Sequence, residues 1–205
     1  MATLQRKSRV IGLLYLGLAV GGALGFLIIR PMVLDGGGPG LARAGLALEL
    51  FTVLTQALAA AGFYRLFHQA DRFAAAAVAA FGLVNAVVVL VSAALLGAAL
   101  RSPADAPLLH LISGQMWAVG GLFFGLWLIP MGWCVVRSGG MPRALGWVLV
   151  AGGFGYVLST FVAAVVPDAG PVADLLVVPA TVGEFWMIGY LLVRGVQPLP
   201  APART

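Results

Sequence analysis

Residues 171–193 read PVADLLVVPATVGEFWMIGYLLV, an apolar stretch with Asp174 near its start and a second acid, Glu184, near its middle. A hydrocarbon core about 30 Å thick is crossed by ~20 predominantly apolar residues in a helix. An ionisable group near the centre of such a core costs ~2.5–3.5 kcal/mol on insertion scales unless it is protonated, paired or facing water. The stretch therefore reads as a membrane-spanning helix, and Glu184 as the first functional-site candidate.

Working outward, further apolar runs of spanning length cover about Val10–Ile29, Ala44–Phe67, Phe73–Leu100, Leu108–Val136 and Ala144–Val166, with the last span at about Val172–Val193. Inside a bilayer the backbone must satisfy its own hydrogen bonds, which leaves helices or closed barrels. The runs are rich in Ala, Leu and Gly and lack the alternation of barrel strands. The expected fold is all-α, a polytopic membrane bundle of six transmembrane helices. It forms one domain over residues 1–197, with a Pro-rich tail at 198–205 expected to be disordered.

Composition agrees. The 205 residues are 61% hydrophobic and 9% charged, with mean hydropathy +1.04, where a soluble domain carries roughly 25% charged residues. The net charge of +5 raises the question of nucleic acid, but the basic residues stand singly at the ends of apolar runs and make no basic face. No nucleic-acid partner is expected. The single cysteine, Cys134, lies in an apolar run and reads as a buried thiol. Arg6-Lys7-Ser8-Arg9 leads into an apolar run longer than the ~7–15 residues of a signal-peptide core. That run reads as a retained first span.

Orientation follows from loop charges. With the N-terminus in the cytoplasm, Arg6, Lys7, Arg9, Arg65, Arg72, Arg137, Arg143, Arg194 and Arg204 lie inside, and only Arg30, Arg43 and Arg101 lie outside. Both termini are therefore expected to be cytoplasmic. The longest connection runs from Arg30 to Arg43 through Gly36-Gly37-Gly38-Pro39-Gly40, and no soluble domain is expected.

Gly17, Gly21 and Gly25 repeat every fourth residue and leave a smooth groove on the first span. The groove serves either packing within the bundle or association with another subunit or a second copy. Trp133 and Trp147 flank the connection between the fourth and fifth spans and fit an interfacial belt, whereas Trp186 is deeper and reads as packed in the bundle.

Gln56, Asn85, Tyr156 and Glu184 each lie about twelve residues from an end of their spans, so at 1.5 Å per residue they fall at one depth. Four polar groups at the midplane could meet in the bundle. Glu49, Thr52 and Gln56 share one face of the second span and draw a polar stripe from the outer surface to that depth. Glu49 lies only about one turn below the surface, within reach of water. The cluster either fixes helix packing around Glu184 or forms a water or ligand path on which Glu184 carries a proton.

His68 and His110 lie at opposite ends of their spans, so a haem or metal held by both is not expected, and no other cofactor is implied. No metal-ligand motif, phosphate loop or Ser-His-Asp arrangement appears. Pro130 and Pro179 interrupt the fourth and sixth spans and should bend them.

The stretch Arg137-Ser138-Gly139-Gly-Met-Pro142-Arg143-Ala-Leu-Gly146 is a tight cytoplasmic hairpin in which Gly139 can end one helix and Pro142 suits the first turn of the next. With Arg9-Val-Ile-Gly-Leu-Leu-Tyr15, Gly125-Leu-Trp-Leu-Ile-Pro130-Met-Gly132, Gly155-Tyr156, Gly183-Glu184 and Leu191-Leu-Val-Arg-Gly195, it resembles a bacterial membrane family known as domain of unknown function 4386. The resemblance covers nearly the whole chain. It implies a six-helix protein of the bacterial inner membrane and carries over no catalytic residue.

Three functions remain open at this level. The first is an accessory or small-ligand-binding subunit, in contact with the bilayer and with other membrane subunits, with its site around Glu184. The second is a small proton-coupled carrier using Glu184. The third is an intramembrane enzyme on a lipid or isoprenoid, which would need a second acid or a metal beside Glu184.

Overall fold

The computed structural model describes residues 2–196; the tail at 198–205 lies outside the described residues. The elements are α1 (Ala2–Gly22), a π-helical segment (Ala23–Ile29), α2 (Arg30–Leu34), α3 (Pro39–Phe67), α4 (Arg72–Ala99), α5 (Ala106–Ser138), α6 (Arg143–Val165) and α7 (Gly170–Val193). α1, the π-helical segment and α2 run on without a break, so six helices are long and apolar enough to cross a membrane, the first covering Gln5–Leu34. No strand occurs among the described residues.

The first connection is shorter than the sequence suggests. Pro31 sits where a helix tolerates it, in the first turn of α2, and Pro39 opens α3. Only Asp35–Gly38 turn, with Gly36 at φ 98°. Arg30, read as an outer-loop charge, is thereby carried inside the helical part of the chain.

Each helix packs on its neighbour in sequence, and α7 returns against α1 to close the ring. The N–H of Val196 donates to Ser8 Oγ at 3.2 Å, so the two described ends lie together. In lipid, association relies on close packing rather than on a hydrophobic drive, and small residues permit it. The α5–α6 contact shows how. Cβ atoms added at Gly125 and Gly153 would each meet the other's carbonyl oxygen, at 2.6 and 2.8 Å. Gly132 and Gly146 repeat the arrangement one heptad away. On α6, Gly152 abuts the backbone of Ala180 and Gly155 the carbonyl of Leu176, both on α7 near Pro179.

The Gly17, Gly21, Gly25 groove is filled from within. Cβ atoms there would fall 2.9 Å from Thr55 Cγ2, 2.7 Å from Thr52 Oγ1 and 3.3 Å from Leu48 Cβ, all on α3. Of the two uses foreseen for this face, packing against α3 within the bundle is the one seen in the structure.

Gly139 ends α5 with φ 62°. Pro142 occupies the residue before α6 rather than its first turn, and Arg143 begins the helix. Tyr190 Oη donates to the carbonyl of Gly140 at 3.2 Å, tying α7 to this hairpin. Trp133 and Trp147 remain exposed, as the belt reading expects. Trp186, read as packed in the bundle, instead faces outward at 39% exposure, whereas Trp127 is fully buried. The helical period explains the exchange: Met187 and Ile188 take the inward face of α7.

Candidate functional site

The polar residues at midplane depth do not form one constellation. Asn85 Nδ2 donates to Gln56 Oε1 at 3.0 Å, joining α3 to α4, and both side chains are fully buried. Gln56 Nε2 and Asn85 Oδ1 have no hydrogen-bond partner among the described residues.

Glu184 binds elsewhere. Tyr15 Oη on α1 donates to Glu184 Oε1 on α7 at 2.6 Å, a length typical of hydroxyl–carboxylate bonds. Tyr15 is held by its ring. It meets Phe63 and Trp127 edge-to-face, each with centroids 5.4 Å apart, and those two meet each other edge-to-face at 5.8 Å. Perpendicular contacts of this kind add ~0.5–1.5 kcal/mol each beyond area burial. They leave the Tyr15 hydroxyl one direction to point. Tyr156 on α6 stacks on Phe124 and makes no hydrogen bond to the carboxylate among the described residues. Glu184 Oε2 has no partner among the described residues, and Glu184 is only half-buried, flanked by the exposed Val182 and Phe185.

The stripe on α3 faces inward, as its spacing requires. Glu49, Thr52 and Gln56 are 2%, 0% and 0% exposed. It is occupied by protein rather than open: the Thr52 hydroxyl donates to the carbonyl of Leu48, one turn back. Glu49, expected to be in reach of water, is instead ion-paired. Arg30 Nη2 lies 2.9 Å from Glu49 Oε1. The same guanidinium donates to Ser113 Oγ at 2.7 Å, and Trp117 Nε1 donates to Glu49 Oε1 at 3.0 Å. Ser92 and Ser113 share a 2.7 Å bond between hydroxyls. The Arg30 guanidinium lies over the Phe26 ring, which stacks on Trp117.

This junction gathers groups from four spans, and sequence reasoning missed most of it. The π-helical segment is one reason. Its ladder closes at i→i+5, with the N–H of Arg30 bonded to the carbonyl of Gly25, so residues beyond it are turned relative to a continuous α-helix. The apolar run that resumes at Met32-Val33-Leu34 is the signal that Arg30 is embedded rather than in a loop.

His68 caps α3, its ring nitrogen 3.1 Å from the carbonyl of Arg65, while His110 lies near the start of α5 beside Arg30. Among the described residues no three His, Cys, Asp or Glu side chains gather into a metal-holding group. At the hairpin side, Asp71 caps α4 by accepting from the N–H of Ala74 at 3.0 Å and from Trp133 Nε1 at 3.2 Å. The Ala74 bond is the main cause that holds its carboxyl below the usual range.

Six spanning helices with buried polar joints and no soluble domain among the described residues define a polytopic helical membrane protein. A family model described as "Domain of unknown function (DUF4386)" matches residues 10–195, and the chain belongs to that family. Comparison with curated proteins and with solved structures finds no match.

Proposed function

We propose that the protein is a membrane-embedded binding subunit whose site is Glu184 and Tyr15, at the seam where α7 returns to α1. One observation carries this reading: the carboxylate spends one oxygen on Tyr15 at 2.6 Å and keeps the other unpartnered on a half-buried residue. A free acceptor in an apolar setting selects a small molecule with a hydroxyl or ammonium donor and an apolar body. Such a ligand enters laterally, past Val182 and Phe185, and Tyr156 forms part of the wall. Gln56 and Asn85 then act as a joint between α3 and α4, Glu49 joins α3 to Arg30 and Trp117, and Thr52 bonds within α3 beside Gly21. The positive-inside bias supports both termini in the cytoplasm of a bacterial inner membrane, and it strengthens once Arg30 is removed from the outer loops. The outward-facing surface is left for other membrane subunits.

Native mass spectrometry of the protein released from nanodiscs tests this. Wild type should carry one small-molecule adduct per chain, lost in Glu184→Gln and retained in the exposed-face control Phe154→Leu. An adduct indifferent to Glu184→Gln refutes the site. Solute-dependent proton uptake by proteoliposomes, abolished in Glu184→Gln, would replace the binding reading with that of a proton-coupled carrier.

A further inference from the structure

The Arg30–Glu49 junction borders a cavity of about 20 Å³ whose lining includes Ile29, Arg30, Gly45, Glu49, Leu96 and His110. Three polar atoms of the lining residues are buried without a hydrogen-bond partner among the described residues: Arg30 Nε, Glu49 Oε2 and His110 Nδ1. They come from three different spans, and Arg30 and Glu49 are about nine-tenths buried or more. Leaving them unmade costs the full desolvation of each group.

We infer that this cavity is a binding site for a single water molecule, which joins His110 to the Arg30–Glu49 ion pair. Three arguments converge. A water needs at least ~10–15 Å³ and two to four polar partners, and the cavity meets both conditions. The chemistry of the three atoms is complementary to water and to nothing larger: Arg30 Nε donates, Glu49 Oε2 accepts, and His110 Nδ1 does either according to its tautomer. The charges already cancel between Arg30 and Glu49, so the site calls for a neutral occupant. The water accepts from Nε, donates to Oε2 and spends its remaining capacity on Nδ1. His110 is only half-buried. The bridge therefore extends a continuous hydrogen-bonded line from near the surface at the start of α5 to a carboxylate in the bundle interior. The site is separate from Glu184 and stands whether or not Glu184 binds a ligand.

Rapid mixing of the full chain in nanodiscs into heavy-oxygen water, followed after a short delay by an X-ray pulse that makes hydroxyl radicals, tests it. Leu96 is 8% exposed and Phe73 is 86% exposed. A held water should oxidise Leu96 despite its burial, with ordinary oxygen persisting there after mixing, while Phe73 takes the heavy isotope at once. Ala42 also lines the cavity, and Ala42→Leu, which adds bulk there, should remove the Leu96 label. If that variant does not fold, His110→Phe should release the water faster and let Leu96 take the heavy isotope. Unlabelled Leu96 in wild type, or exchange there as fast as at Phe73, overturns the inference.

Discussion

Replacing Arg30 by methionine should be among the most damaging single changes in this chain. The substitution keeps much of the stem but removes the guanidinium. Two short contacts are lost, to Glu49 Oε1 at 2.9 Å and to Ser113 Oγ at 2.7 Å; those to Ser92 Oγ and the His110 carbonyl, both 3.4 Å, are marginal. Hydrogen bonds to charged groups contribute ~1.5–3 kcal/mol each, which gives roughly 3–6 kcal/mol. Stranding one member of a buried pair independently predicts about 3–5 kcal/mol, and Glu49, 2% exposed, is then stranded. Unfolding in mixed micelles, followed by circular dichroism, measures the loss. The double variant Arg30→Met, Glu49→Leu should recover most of it, because no charge remains to be solvated. A single-variant cost below ~1 kcal/mol, the range of exposed pairs, would refute the assignment of this pair to the bundle interior.

Four other changes probe the rest of the structure. Gly152→Ala, placed against the backbone of Ala180, should cost about 1–3 kcal/mol through overpacking, whereas Gly189→Ala, with open space around it, should be neutral or stabilise by up to ~1 kcal/mol in the same assay. Tyr15→Phe should leave the bundle folded but shift the Glu184 carboxyl band in infrared difference spectra, and an unmoved band would contradict the 2.6 Å bond. Because the Asp71 carboxyl is held below its usual range, its capping of α4 is fully present above an unfolded-state value of ~3.9 and is lost as pH falls through the folded value. Hydrogen exchange at the Ala74 amide should therefore be faster in Asp71→Ala than in wild type near neutrality, and the two should converge in acid.

Sequence reading reached the fold because each span declares itself through local composition. The six runs appear as six helices, and Gly139 adopts the left-handed φ that its place before a new helix suggested. The depth argument was sound for the stripe on α3, since spacing fixes a face. It failed to choose partners. Gln56 and Asn85 pair with each other, and Glu184 finds Tyr15, a tyrosine singled out only for its place in a family-like stretch. Equal depth places groups on one plane; it says nothing about which side of a ring of helices each one occupies.

Arg30 makes the division clear. Its position after an apolar run and before a proline allows a loop or a helix, and local propensity cannot separate them. What decides is Glu49, buried on α3 and in need of a counter-charge, together with a π-helical segment that turns Arg30 toward it. The sequence alone determined that the chain crosses a membrane with six helices, because solvation by lipid acts on each segment separately. Tertiary structure alone decided which polar groups meet, because that depends on the order and rotation of helices around the ring, set by glycine contacts between segments far apart in the chain.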